Sequence, residues 1–209
     1  ELASQGRLGA LAQDLSLLHA MGMRIVLVYG SRPQVEEQLA LRNLQTQFHR
    51  GWRVTDPAAL ECAKEAAGEL RLDIEASFSQ GLPNTPMAHS AMRVVSGNFV
   101  TARPMGILDG IDLQHTGLVR KIDVRAISQS LDNNAIVLLS TLGFSPTGEA
   151  FNLSLEDVAT SAARALKADK LIFVSQIEGI FDRDGTLLEE LELDRARDLL
   201  LNGGLDEQT

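Results

Sequence analysis

A single cysteine, Cys62, leaves this 209-residue chain nothing to pair it with. An intrachain disulfide framework and every multi-cysteine metal site are therefore excluded, and the cytosol becomes the default compartment. Cys62 stands among alanines in a helical pattern, the place of a buried filler rather than of a nucleophile. Basic residues are outnumbered, 19 Lys plus Arg against 28 Asp plus Glu for a net charge of −9, so the chain lacks the footprint that nucleic acid selects. Asp14, Arg24, Asp132 and Glu149 interrupt the apolar runs well short of the ~18 residues a membrane span needs. The four histidines, His19, His49, His89 and His115, show no i, i+3 or i, i+4 pairing, which leaves metal ligation without support. No Gly-x-Ser-x-Gly elbow offers a hydrolase nucleophile. The chain opens at Glu1 with no targeting pattern and ends in polar residues after Asn202-Gly203-Gly204, from which we expect an excerpt cut at both ends.

What is present is enough apolar composition, 44%, for a sizeable core. Leu8, Leu11, Ala12, Leu15 and Leu18 recur at helical spacing up to Gly22, and Arg24-Ile25-Val26-Leu27-Val28-Tyr29 reads as a buried strand. A tight turn at Gly30-Ser31-Arg32-Pro33 leads into a helix carrying Val35 and Leu39. Asp56-Pro57 caps an Ala-rich helix over about 58–76, which Gly81-Leu82-Pro83-Asn84-Thr85-Pro86 follows. Strand material around Gly97-Asn98 and turn signals over 106–123 predict a small antiparallel flap. Asp123 caps a helix ending near Leu131, and Ala135-Ile136-Val137-Leu138-Leu139 is a doubly covered strand. Ser154 and Asp157 form an approximate capping box, with Asp in place of the usual Glu, for a helix reaching about Ala168. Leu171-Ile172-Phe173-Val174 predicts another buried strand, Asp184-Gly185 a hairpin turn, and Asp194 the cap of a last helix stopped by Gly203-Gly204. Alternating helices and buried strands predict a three-layer αβα sandwich with a mainly parallel sheet and one antiparallel insertion. In such a sheet ligands sit beyond the carboxyl ends of the strands, here after Tyr29, Ser140 and Val174.

Three segments follow those ends or flank them. Gly30-Ser31-Arg32-Pro33-Gln34 reads either as an anion-holding turn at a helix N-terminus or as an ordinary strand-to-helix turn with an exposed arginine. Gly143 to Ala150 has the glycine spacing of a P-loop, but Glu149 and Ala150 replace the required Lys and Ser or Thr, which argues against a P-loop NTPase, and Glu149 reads as solvated. Phe151-Asn152-Leu153-Ser154-Leu155-Glu156-Asp157 places an amide and carboxylates at a helix start, suited to orienting a polar substrate or, for Ser154 and Asp157, simply to capping. Arg53, within Arg50-Gly51-Trp52-Arg53-Val54-Thr55-Asp56, is a candidate carboxylate clamp whose plainer alternative is a surface salt bridge.

In order along the chain, Ile25 to Gln34, Arg53-Val54-Thr55-Asp56, Gly81 to Pro86, Phe151-Asn152-Leu153, Ala168-Asp169-Lys170-Leu171-Ile172 and Glu178-Gly179-Ile180-Phe181-Asp182 resemble the amino-acid kinase family and its acetylglutamate branch. The likeness, with a carbamate kinase-like fold, runs along essentially all of residues 1–209. Gly30 to Gln34, Arg93-Val94-Val95-Ser96-Gly97-Asn98-Phe99-Val100-Thr101-Ala102-Arg103-Pro104 and the 143–152 segment look more like the bacterial N-acetylglutamate synthases than like the acetylglutamate kinases. The resemblance implies a regulatory, arginine-binding domain ahead of an acetyltransferase domain that is absent from these residues and that acts on glutamate and acetyl-CoA. It implies no cofactor and no catalytic residue for the kinase-like domain itself, and a homo-oligomer. Gly30, Ser31, Arg32, Arg53, Asn152 and Glu156 fall on the kinases' ligand cleft, here vestigial, and Lys170 on part of the arginine pocket. Arg32 replaces the last glycine of the kinases' Gly-Gly-Gly turn and Asp184 their second lysine, departures that disable phosphoryl transfer. Two rival expectations remain, an acetylglutamate kinase using MgATP and a freestanding arginine-binding module.

Overall fold

The computed structural model describes residues 6–80, 92–175 and 179–202, in two compact units, 1–171 and 172–209. The segment 81–86, His89, Glu178 and Gly203-Gly204 lie outside the described residues. In chain order the first unit holds α1 (Leu8–Ala20), β1 (Val26–Tyr29), α2 (Arg32–Leu41), β2 (Phe48–His49), β3 (Trp52–Arg53), α3 (Pro57–Ser79), β4 (Arg93–Ser96), β5 (Val100–Pro104), β6 (Ile107–Leu108), β7 (Ile111–Asp112), β8 (Gly117–Ile122), α4 (Val124–Asp132), β9 (Ala135–Ser140), β10 (Leu142–Phe144), β11 (Ala150–Asn152) and α5 (Leu155–Leu166). The second unit holds α6 (Leu193–Leu201).

β9 is the centre of the first unit. It pairs in parallel with β1 on one side and β4 on the other, and all of residues 135–139 are buried. Because successive side chains point to opposite faces, Ile136 and Leu138 join Ala12 of α1 and Leu70, Ile74 and Phe78 of α3 in one core. Val137 and Leu139 instead join Ile127 of α4 and Val158 and Ala162 of α5 in another. A strand apolar on both faces thus takes a helix layer on each, the expected three-layer arrangement. Cys62 is fully buried in a third cluster, where α2 meets α3 through Val35, Leu39, Ala59, Ala63 and Ala66.

The expected flap is a four-stranded sheet, β11-β10-β5-β8, antiparallel except where β10 runs parallel to β5. Two hairpins accompany it. β2 and β3 are joined by Arg50 (φ 48°) and Gly51 (φ 80°), and β6 and β7 by Asp109 (φ 51°) and Gly110 (φ 82°), the positive-φ pairs that tight hairpins demand. Asp56 and Asp123 cap α3 and α4 by accepting from the N–H groups of Ala59 and Ala126. The capping box at α5 is only half formed. Ser154 accepts from Asp157 N–H at 3.0 Å, but the Asp157 carboxylate accepts from Val119 N–H at 2.8 Å and so ties the helix to β8.

Two expectations are corrected. Residues 171–174 form no strand; Leu171, Ile172, Phe173 and Val174 are irregular and 43 to 75% exposed. An apolar run favours burial but cannot supply the neighbouring strand whose hydrogen bonds make it a strand. The N-cap of α6 is Glu192 rather than Asp194, which sits inside the first turn, and Glu192 makes no side-chain cap bond. In the second unit the turn at Asp184-Gly185 forms as expected. Gly185 has φ 76°, Asp182 Oδ1 accepts from Asp184 and Thr186 N–H groups, and Phe181 bridges antiparallel to Leu187.

Candidate functional site

The parallel pairing aligns Tyr29 with Ser140, so β1 and β9 deliver Gly30 and Thr141 to the same edge of the sheet. α2 begins just beyond Gly30. The start of α5 lies there as well, since a Cβ on Gly30 would meet Leu155 at 3.7 Å. That is ordinary contact, and Gly30 is not in the left-handed region, so neither backbone conformation nor space requires glycine there. Ser31 is buried and makes no side-chain cap bond, and Glu156, next to Leu155, is exposed in the first turn of α5.

Arg32 and Arg53 come together on one ring, with guanidinium carbons 5.1 and 5.0 Å from the centroid of Phe48, within the range of cation–π attraction. Arg32 is exposed and makes no ion pair among the described residues. Arg53 is 8% exposed, donates to Thr46 Oγ1 at 2.7 Å and to Glu36 Oε1 at 2.6 Å, and so forms a salt bridge whose cation is buried and whose carboxylate is half-exposed. Asn152 reaches the same region from β11. Its Nδ2 donates to Thr55 Oγ1 at 3.3 Å, and its backbone N–H donates to His115 O at 2.9 Å. Buried Thr116 ties these parts together: its hydroxyl donates to Arg53 O, lies 2.9 Å from Thr55 Oγ1 and accepts from Thr55 N–H at 3.2 Å. Two buried side-chain atoms have no hydrogen-bond partner among the described residues, Gln34 Oε1 and His115 Nδ1, the latter 3.7 Å from Glu149 Oε1.

Lys170 is not part of this gathering. It is exposed and follows the C-terminal end of α5, whose 12 residues span about 18 Å from the turn that holds Glu156. The 143–150 segment is the β10–β11 hairpin rather than a phosphate loop. Gly143 is needed there for packing, because a Cβ would lie 2.8 Å from Ala102 Cβ and from Leu153 Cδ1. Glu36, Phe48 and Thr116 escaped the sequence reading: Glu36 and Thr116 lie 17 and 63 positions from Arg53, and Phe48, although near Arg53 along the chain, meets Arg32 from 16 positions away.

Tyr29, the only tyrosine, donates from its hydroxyl to Ala67 O at 3.0 Å and fastens the end of β1 to α3. Burial pushes its phenol above the ordinary value of 10.0, against smaller opposing effects of Arg71 and Ser140. The unfolded chain then loses this proton first, so the stability it provides is full below about pH 10 and declines as pH rises through the folded-state value. Melting temperatures measured from pH 8 to 11 should fall less steeply for Tyr29→Phe than for the wild type; equal slopes would refute the burial argument.

A parallel sheet covered on both faces, with helix N-termini gathered at its carboxyl edge and a small antiparallel sheet beside it, defines an αβα domain of the amino-acid kinase type. The chain belongs to the amino acid kinase family, whose profile matches residues 2–207. It is 68% identical over its whole length to an amino-acid acetyltransferase of Ralstonia nicotianae and 53% identical over 96% of its length to that of Azotobacter vinelandii. It spans 46% of the length of each of these relatives. A crystal structure of N-acetylglutamate synthase from Neisseria gonorrhoeae, complexed with coenzyme A and L-arginine, superposes with a TM-score of 0.85 at 37% identity, covering 93% of this chain and 46% of that one. Among the described residues no helix is long and apolar enough to cross a membrane.

Proposed function

We propose that this chain is the regulatory, arginine-sensing kinase-like domain of an N-acetylglutamate synthase, the enzyme that moves the acetyl group of acetyl-CoA to glutamate in the first step of arginine biosynthesis. The observation that carries this reading is the 68% identity, end to end, to an amino-acid acetyltransferase of which the chain makes up less than half. The acetyl-transfer groups then lie outside these residues, and the domain works in the cytoplasm as part of a homo-oligomer.

The cleft supports a non-catalytic role. Phosphoryl transfer needs close backbone approach at the phosphates. Here the Arg32 side chain lies over Phe48 beside the Gly30 turn, and Arg53 is engaged by Glu36 and Thr46. Lys170, remote from that cleft, is the effector-site residue, suited to the α-carboxylate of arginine. Arginine bound there shifts an equilibrium felt by the attached acetyltransferase, and linkage requires the reciprocal effect on arginine affinity.

In the full-length protein, acetyl transfer from acetyl-CoA to glutamate should change when arginine is added. Lys170→Ala should weaken arginine binding about tenfold, the scale of one charge-assisted hydrogen bond. Activity indifferent to arginine would overturn the sensing role. ATP-dependent phosphorylation of N-acetylglutamate would instead make the protein a kinase.

A further inference from the structure

His115 Nδ1 is buried without a hydrogen-bond partner among the described residues, and it lies 3.7 Å from Glu149 Oε1, roughly 0.8 Å beyond a charge-assisted N–H···O contact. Either neutral tautomer leaves that nitrogen unsatisfied, as a bare acceptor or as a donor with nothing to receive it. A protonated ring is a donor at Nδ1, and a carboxylate is the acceptor suited to it. The ring is 26% exposed, so water can bring it a proton although Nδ1 itself is enclosed. The two partners differ in freedom. His115 is fixed at its root: its N–H donates to Thr55 O at 3.0 Å, its carbonyl accepts from Asn152 N–H at 2.9 Å, and Gln114 before it holds φ 52°. Glu149 stands in the β10–β11 turn beside Gly148 (φ 86°), is 54% exposed, and makes no side-chain hydrogen bond among the described residues. The other charged groups on the segments packed against His115 are engaged elsewhere: Arg53 by Glu36 and Thr46, Asp56 by Ala59 N–H, and Asp112 by Gln114 N–H. Among the described residues, Glu149 is the one carboxylate within 4.0 Å of this ring.

We propose that His115 and Glu149 form a proton-operated latch: proton uptake by His115 draws the Glu149 carboxylate onto Nδ1 and fastens the β10–β11 turn to the connection between β7 and β8. The latch is open where the ring is neutral and closed where it is charged, a change that falls in the range of about pH 5–8 where histidine titrates. The turn moves and the ring stays, because the ring's backbone is tied on both sides and the carboxylate is not.

The test is NMR of the isotope-labelled 209-residue chain, titrated from about pH 8 to pH 5. The backbone amides of Ser145, Gly148 and Glu149 should shift in step with the His115 ring. That ring should take up its proton about two- to fivefold more tightly in the wild type than in Glu149→Gln, the range of an ion pair open to solvent. In both Glu149→Gln and His115→Gln the turn amides should lose their step. Turn amides that stay constant while the ring titrates would overturn the proposal, as would equal proton affinity in the wild type and Glu149→Gln. Should one variant fail to fold, the other decides, since each removes one half of the latch and leaves the amide readout in place; a step that persists in it would sink the idea.

Discussion

Leu138→Ala and Leu139→Ala are each expected to cost about 3 kcal/mol, within the range of ~2–5 kcal/mol for a buried Leu→Ala change, and to lower the melting temperature by roughly 6–12 °C. The two leucines are neighbours in β9 and both are 1% exposed, yet they serve different cores. Leu138 packs with Ala12, Leu70, Ile74 and Phe78, and Leu139 with Ile127, Val158 and Ala162. Each truncation removes transfer free energy and leaves a cavity that the surrounding helix layer fills only in part. Because the cavities lie on opposite faces of the strand, their effects should add to within about 0.5 kcal/mol in the double variant. Thermal or urea unfolding of the three variants measures this directly. A cost below ~1 kcal/mol for either leucine would mean that its helix layer is not packed against the sheet.

Thr116→Val should destabilise by about 1–3 kcal/mol although it preserves the shape of the side chain. The Thr116 hydroxyl serves Arg53 O, Thr55 Oγ1 and Thr55 N–H together, and both threonines are buried. A methyl group there leaves the Thr55 N–H without that acceptor in a region that water does not reach. Thr55→Val breaks the same hydroxyl pair and removes the acceptor of Asn152 Nδ2. In the double-mutant cycle, the combined cost should fall short of the sum by roughly 0.5–3 kcal/mol. Strict additivity would show that the hydroxyls act independently. The same network ties the backbone of Arg53 and the side chain of Asn152 to the buried threonine pair.

What could be read beforehand follows how far apart the interacting residues lie. Asp56 before Pro57, Asp123, and Ser154 with Asp157 announced helix starts because a cap is made within three residues. The turn signals over 106–123 and Asp184-Gly185 announced turns because a positive φ, seen at Gly106, Gly110 and Gly185, is a preference of the residues themselves. The unbroken apolar stretch at 135–139 announced a strand covered on both faces, and it is one. Residues 171–174 carry the same local signal without a partner strand among the described residues, and they are irregular and exposed. Asp157 had the right spacing for a capping box, but Val119 N–H, 38 positions away, holds its carboxylate instead.

The sequence by itself determined the helices, the buried strands at β1 and β9, the caps of α3, α4 and α5, the three-layer class and the identity of Arg32, Arg53 and Asn152 as residues worth placing. Only the tertiary structure decided what those residues do. It set two arginines on one phenylalanine ring, gave Arg53 a carboxylate from α2, and joined Thr55, Thr116 and Asn152 into one buried network. It also placed Lys170 at the far end of α5 from Glu156. Capping and turn preferences are local free energies written in neighbouring residues, whereas ion pairs and buried networks depend on where the packed sheet carries groups distant along the chain.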